Sequence, residues 1–186
     1  MKRTFDITMA LTGFFIFLIP LFLISILVKL TSPGPAIHWS RRIGKGNRPF
    51  LMPKFRTMKI GTPQLASHLL NNPESSLTGI GGFLRKYSLD ELPQIFSVLK
   101  GEMSLVGPRP ALFNQDDLVQ QRTKMGVDKL KPGITGWAQV NGRDELPIPV
   151  KVKFDTEYLL RQSFLFDLKI IYLTLRKVIT SDGVSH

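Results

Sequence analysis

The chain has 186 residues, which suits one domain and leaves little room for a second independent core. It contains no cysteine, and its three histidines, His38, His68 and His186, are too scattered to suggest a metal cluster. The 25 Lys and Arg residues outnumber the 14 Asp and Glu residues, and the resulting charge of +11 requires an anionic partner. Nucleic acid, anionic lipid headgroups and phosphorylated substrates all meet that requirement.

The N-terminal region is strongly hydrophobic. Residues 7–28 carry no charged side chain, and as a helix this segment is roughly 33 Å long, against about 30 Å for the bilayer core. Pro20 lies near its middle and predicts a bend. Basic residues flank both ends, which favours the cytoplasmic side for both; these are Lys2 and Arg3 before the segment and Lys29, Arg41, Arg42, Lys45 and Arg48 after it. We therefore predict a re-entrant membrane helix bent at Pro20 over residues 1–31, in preference to a kinked span.

The remainder, residues 32–186, is predicted to be one integrated unit at the cytosolic face. Strand-like runs at 36–39 and 50–55 flank a basic turn and predict a β-hairpin. Residues 101–110 and 131–143 are rich in glycine and proline and predict loops. Helices are expected in four further segments, with a short helix or a loop at 62–72; the four are 80–87, 94–100, 111–124 and 150–162.

Residues 164–179 are densely apolar with basic residues interspersed. This pattern fits a helix that packs on the core and, equally, an amphipathic interfacial helix on a membrane. The predicted fold class is therefore α+β and mainly helical, with a small β-hairpin, a re-entrant helix and amphipathic interfacial helices.

The adjacent carboxylates Asp90 and Glu91 are the first candidates for chemistry. They follow two cations, Arg85 and Lys86, and could hold a divalent metal and act on a phosphate. The alternative is structural, because Ser88 and Glu91 have the spacing of a capping box at the start of a helix. Both interpretations stay open on these residues alone.

Two further segments carry candidate binding residues. Arg109 lies between Pro108 and Pro110, which fix the backbone and could aim the guanidinium at a phosphate, although a solvent-facing arginine in a turn fits equally. In residues 131–143, glycines expose backbone N–H groups, an aromatic ring offers stacking, and Gln139 and Arg143 offer polar contacts. That inventory fits a nucleotide, a sugar or an ordinary turn.

Taken together, five segments resemble the bacterial sugar transferase family, the monotopic polyprenyl-phosphate phosphoglycosyl transferases. They occur in the family's order and the resemblance covers nearly the whole chain. The segments are KRTFD at 2–6, KFRTM at 54–58, LRKYSLDELPQ at 84–94, LKGEMSLVGPRP at 99–110 and KPGITGWAQVNGR at 131–143. Related proteins often have serine before the membrane proline, where this chain has Ile19.

The resemblance implies a two-step reaction. Asp90 is expected to be the nucleophile and a Mg²⁺ ligand, with Glu91 as its partner carboxylate. Asp90 attacks the sugar-linked phosphorus of a UDP-sugar and releases UMP, and undecaprenyl phosphate then takes the sugar phosphate from the covalent intermediate. Substrate-binding residues are expected among the motif positions; they are Arg109, Arg143, Arg85, Pro108, Gln139 and Arg56.

The same resemblance implies a monotopic protein at the cytoplasmic face of the bacterial inner membrane, catalysing the first membrane step of a glycoconjugate pathway. Its expected partners are the donor, the acceptor and membrane lipids, without nucleic acid; a homo-oligomer stays open. The chain is expected to be the minimal catalytic form, since it lacks the multi-span N-terminal region of larger relatives. Two alternatives are a non-enzymatic basic membrane module and a glycosyltransferase that releases UDP in place of UMP.

Overall fold

The computed structural model describes residues 1–63, 74–142 and 146–180. The prediction of an α+β, mainly helical fold is confirmed. Its helices are α1 Lys2–Ile16, α2 Leu18–Thr31, α3 Gly81–Lys86, α4 Ile95–Lys100, α5 Asp116–Lys124, α6 Trp137–Val140, α7 Ile148–Arg161 and α8 Phe164–Thr180. The strands are β1 Ile37–Ile43, β2 Pro49–Phe55, β3 Ser104–Val106, β4 Ala111–Leu112 and β5 Gly133–Thr135. Short 3-10 helices cover Lys45–Asn47, Glu74–Ser76, Leu89–Gln94 and Val127–Lys129.

The predicted hairpin is confirmed. Strands β1 and β2 are antiparallel, with Ile37 opposite Phe55 and Ile43 opposite Pro49. The first strand extends four residues beyond its predicted end at residue 39. Strand β4 pairs with the other edge of β1 and completes a three-stranded sheet in the order β2-β1-β4.

The prediction of loops at 101–110 and 131–143 is wrong in part. Strands β3 and β5 lie inside these segments and pair in parallel, and α6 follows β5. The Gly107 N–H donates to the Thr135 carbonyl at 2.8 Å, and the Gly133 N–H donates to the Pro108 carbonyl at 2.9 Å. A Cβ on Gly107 would lie only 2.4 Å from the Lys131 carbonyl oxygen. The glycines therefore permit close backbone pairing, and these two N–H groups are not left for a ligand.

The predicted helix at 111–124 is shorter than expected, because its first residues pair as β4 and α5 begins at Asp116. The helices predicted at 80–87, 94–100, 150–162 and 164–179 are confirmed as α3, α4, α7 and α8. The prediction at 62–72 lies almost wholly outside the described residues.

The hydrophobic N-terminal segment forms two helices bent by 61°. The break falls at Phe17, between α1 and α2. Pro20 explains this position, because it lacks the N–H that would donate to the carbonyl four residues earlier, at Ile16. Within the described residues, no single helix meets the length and hydropathy expected of a membrane span, whereas the bent pair meets them jointly.

Both ends of the bent pair are bonded to the rest of the protein. At the start of α1, Lys2 Nζ lies 2.5 Å from Asp167 Oδ2 of α8. One turn later, the buried Asp6 carboxylate accepts from the Ser104 hydroxyl at 2.9 Å. After the end of α2, the Arg56 guanidinium donates to the Ser32 carbonyl at 2.8 Å. The two ends therefore lie on one body.

Both helices also contribute to the core. Ala10 of α1 packs with Ile95 and Val98 of α4. Val28 of α2 packs with Phe55 of β2 and Leu84 of α3. The bend between the helices stays outside this packing: Phe15, Ile16 and Ile19 are 65–70% exposed.

Candidate active site

Asp90 and Glu91 lie in the 3-10 helix Leu89–Gln94, between α3 and α4. The residue before this turn, Ser88, has a left-handed backbone (φ 54°), and its side chain makes no capping hydrogen bond. The capping-box interpretation of Ser88 and Glu91 is therefore wrong. The left-handed backbone of Ser88 differs from the extended conformation that an N-cap residue adopts.

The Glu91 carboxylate is held by two cations from other parts of the chain. Lys54 of β2 places Nζ 2.6 Å from Glu91 Oε1 and 3.9 Å from Asp90 Oδ2. Arg109, in the segment after β3, places NH2 3.1 Å from the same Glu91 oxygen. A hairpin strand, a 3-10 helix and a proline-flanked loop thus converge on one pair of carboxylates.

Burial and charge act differently on the two carboxyl groups. Burial raises the pKa of Asp90 above its ordinary value, and the charge of Glu91 adds to that rise, while Lys54, Arg85 and Arg109 oppose it. Burial also opposes the ionisation of Glu91, but the charges of Arg109 and Lys54 and their hydrogen bonds hold the pKa of this carboxyl far below its usual range. Glu91 is therefore a fixed anion, whereas Asp90 is the carboxyl whose ionisation is sensitive to what binds beside it.

Of the predicted substrate-binding residues, Arg109 and Arg85 act on the carboxylate pair, and Pro108 precedes Arg109 in the chain. Arg85 of α3 acts electrostatically on Asp90, and its Nε donates to the Thr57 hydroxyl at 3.0 Å. Burial lowers the pKa of Arg85 and the Asp90 charge opposes that shift. Pro108 contributes backbone, since its carbonyl accepts from Gly133.

The structure places two other predicted residues elsewhere. Arg56 is 5% exposed, and its guanidinium donates to the carbonyls of Ser32 and Pro33, where the chain leaves α2. Gln139 of α6 donates to the Ile134 carbonyl at 3.0 Å and so holds the β5–α6 loop together. Arg143 lies outside the described residues.

Lys54 is the residue that the sequence analysis missed. It lies in one of the motifs quoted there, but the apolar run around it predicts only a strand. The available signal was a lone cation within the apolar, strand-like run at 50–55. Such a side chain reaches inward only when an anion is there to receive it.

The described residues contain no group of three or more His, Cys, Asp or Glu side chains that could hold a metal ion. Asp90 and Glu91 offer two carboxylates, and Glu91 is already engaged by Lys54 and Arg109. Mg²⁺ is commonly held by one or two carboxylates together with substrate phosphates. The donor set is therefore compatible with an ion that is shared with a phosphorylated substrate.

Comparison with known proteins identifies the family of the chain. The sequence profile described as "Bacterial sugar transferase" matches residues 1–181. The chain is 41% identical to the uncharacterized sugar transferase EpsL of Bacillus subtilis, over all of this chain and 91% of that protein. It is 40% identical to the UDP-glucose:undecaprenyl-phosphate glucose-1-phosphate transferase of Escherichia coli, over 95% of this chain and 40% of that longer protein. It is 36% identical to the exopolysaccharide production protein ExoY of Sinorhizobium fredii, over 98% of this chain and 87% of ExoY.

The chain therefore belongs to the bacterial sugar transferase family. The resemblance drawn from the five motifs and the prediction of a sugar-phosphate transferase enzyme are confirmed. Several relatives are much longer than this chain, which spans 34–44% of the lengths of three of them.

Proposed function

We propose that this protein transfers a sugar 1-phosphate from a UDP-sugar to undecaprenyl phosphate, through a covalent intermediate on Asp90, and releases UMP. The observation that carries the proposal is the Asp90–Glu91 pair, in which Asp90 is buried and Glu91 is bonded to Lys54 and Arg109. Relatives named as UDP-sugar:undecaprenyl-phosphate transferases, with glucose in one case and N-acetylgalactosamine in another, support the substrate classes.

In the proposed first step, an Asp90 carboxylate oxygen attacks the phosphorus that carries the sugar. The bond from that phosphorus to the bridging diphosphate oxygen breaks, and UMP leaves with the bonding electrons. In the second step, a phosphate oxygen of the lipid attacks the same phosphorus and the Asp90–phosphorus bond breaks. The products are a polyprenyl diphosphate sugar and the regenerated carboxylate.

The cations around the pair suit this chemistry. A carboxylate is a weak nucleophile and is repelled by a diphosphate, so positive charge must offset the substrate's charge before attack. Arg109, which contacts Glu91, and Arg85, whose charge acts on Asp90, are proposed to bind phosphate oxygens, and Arg143 is a candidate for the same role. Glu91 keeps Lys54 and Arg109 together beside Asp90.

Mg²⁺ is proposed as the cofactor, with Asp90 as its protein ligand. When bound, the ion would neutralise diphosphate charge that the chain's own cations leave uncompensated. This role fits the two-carboxylate donor set described above.

A re-entrant membrane hairpin is the proposed environment of α1 and α2. Lys2 and Asp6 near the start and Ser32 after the end all bind the same body, which supports the proposal that both ends lie on one side of a bilayer. The bend carries exposed apolar side chains, as expected for a segment covered by lipid; these are Phe15, Ile16, Ile19 and Phe22.

Helix α8 extends the proposed contact with lipid. Its inner face buries Phe166 and Ile170, whereas Leu165 and Tyr172 are 76% and 64% exposed. An exposed apolar face with basic residues nearby is typical of an interfacial helix. Together with α1 and α2, it would hold the protein at the cytoplasmic face of the bacterial inner membrane, where a soluble donor meets a lipid acceptor.

The test is nucleotide release by the full chain in lipid nanodiscs, with Mg²⁺, undecaprenyl phosphate and a panel of UDP-sugars. The proposal predicts UMP from one or a few donors, lost in Asp90→Asn. UDP in place of UMP would show that the sugar moves without its phosphate and would refute the proposal. Turnover that persists in Asp90→Asn would refute the assigned nucleophile.

A further inference from the structure

The backbone that carries Arg109 is held from three directions. Pro108 and Pro110 have restricted φ angles and no N–H to donate. The Pro108 carbonyl accepts from Gly133 of β5, at 2.9 Å. The Pro110 carbonyl accepts from Arg42 of β1, at 3.1 Å. The third carbonyl of this tripeptide, that of Arg109 itself, accepts from a buried side chain.

That side chain is Arg122 of α5, whose NH1 donates to the Arg109 carbonyl at 2.8 Å. Its Nε and NH2 both donate to Asp155 Oδ2 of α7, at 2.9 and 2.7 Å. Arg122 is 8% exposed and Asp155 1% exposed. The guanidinium is planar and rigid, so anchoring two of its nitrogens on Asp155 fixes the direction of the third.

A buried ion pair is an inefficient way to stabilise a fold. Removing both charges from water costs several kcal/mol per ion, and apolar residues of similar volume often serve stability as well or better. An apolar pair could fill the space between α5 and α7, but it could not donate to the Arg109 carbonyl. Only the charged pair therefore supplies this hydrogen bond. It binds the backbone carbonyl of the same residue whose guanidinium contacts Glu91.

We infer that Arg122, anchored by Asp155, is a positioning residue that holds Arg109 against Glu91. It touches neither carboxylate of the site and acts through the Arg109 backbone. Its consequence for turnover rests on the proposed function, whereas its effect on Arg109 does not.

The first readout needs no catalysis. Phenylglyoxal modification of Arg109, followed by mass spectrometry on the full chain in nanodiscs, reports how firmly its guanidinium is held. The Arg109 side chain is 31% exposed and the Arg161 side chain 52% exposed, so Arg161 serves as the internal reference. Arg122→Gln is expected to raise the modification rate of Arg109 several-fold relative to Arg161. An unchanged ratio would overturn the inference.

A second variant separates positioning from folding. Arg122→Met combined with Asp155→Leu replaces the ion pair with apolar side chains and is expected to keep Tm near that of the wild type. It should nevertheless raise the modification of Arg109 as Arg122→Gln does. A stable double variant with wild-type modification of Arg109 would also overturn the inference.

The catalytic consequence is read from a double-mutant cycle on UMP release. Arg122→Gln should lower kcat/KM about tenfold in the wild-type background, which corresponds to about 1.4 kcal/mol. It should change little in an Arg109→Ala background, because the side chain on which it acts is gone. Equal losses in both backgrounds would show a general structural effect and contradict the inference. A wild type that releases no UMP would refute the proposed function, and the modification ratio would still decide the role of Arg122.

Discussion

Lys54→Met is the substitution that most directly probes the electrostatics of the carboxylate pair. Methionine keeps much of the length and the apolar stem of lysine, so β2 and its packing should persist. The ammonium removed lies 2.6 Å from Glu91 and 3.9 Å from Asp90. Unit charges about 4 Å apart interact by about 4 kcal/mol at an effective dielectric constant near 20, which is an upper limit for the attraction to Asp90 that is lost.

The free-energy cost of Lys54→Met should be smaller than this limit, because Arg109 stays bonded to Glu91 after the change. Hydrogen bonds to charged groups contribute about 1.5–3 kcal/mol. We therefore expect kcat/KM for UMP release to fall roughly 10- to 100-fold. Burial raises the pKa of Asp90 and Lys54 is the strongest of the charges that oppose this rise. Its loss should raise this pKa further and move the acid limb of the pH–rate profile to higher pH.

The assay is the pH dependence of kcat/KM in nanodiscs, with Lys100→Met as the matched control. Lys100 is exposed and lies over the Trp39 ring, 5.9 Å from its centroid. The control should keep the activity and the pH profile of the wild type. Wild-type kcat/KM and an unmoved acid limb in Lys54→Met would refute the account of charge at this site.

Three further predictions concern stability. Attraction to Arg109 and Lys54 lowers the pKa of Glu91 in the folded state. The ionised Glu91 therefore stabilises the fold above its unfolded pKa of about 4.3, and this stabilisation is lost as pH falls. The difference in Tm between wild type and Glu91→Gln should narrow on acidification, and a constant difference would contradict this. Gly107→Ala should lower the free energy of unfolding by about 1–3 kcal/mol, because its Cβ would clash with backbone, whereas Gly82→Ala, with its nearest contact at 3.7 Å, should not; equal Tm values would refute the tight strand pairing. Arg56→Met should leave the Ser32 and Pro33 carbonyls without their donor and increase hydrogen exchange after α2, and unchanged exchange would refute its role there.

Local patterns in the sequence predicted most of the helices and the hairpin. Strand-like runs on either side of the basic turn located β1 and β2, and the densely apolar segment at 164–179 located α8. Strands β3 and β5 were missed because each has three residues and their pairing joins positions 104 and 133, which no local period records. Glycines at both strands looked like loop signals, yet they are what allows the two backbones to meet.

Only those candidate site residues that stand out within a short local motif could be predicted from the sequence. Asp90, Glu91 and the proline-flanked Arg109 were recognisable from neighbouring residues. Lys54 was not recognisable, because its partner Glu91 lies 37 residues later in sequence and is brought to it only by tertiary packing. Arg122 was not singled out either, because its partner Asp155 is 33 residues distant in sequence. Buried polar partners of this kind are set by tertiary packing, which sequence periodicity does not encode.

The most direct test of the central claim is intact-protein and peptide mass spectrometry after incubation with Mg²⁺ and the active UDP-sugar, without undecaprenyl phosphate. The account predicts a sugar-phosphate adduct on the peptide that contains Asp90, formed together with UMP and discharged when undecaprenyl phosphate is added. Asp90→Asn should form no adduct. UMP release that requires the acceptor, with no adduct on this peptide at any time, would contradict a covalent intermediate on Asp90.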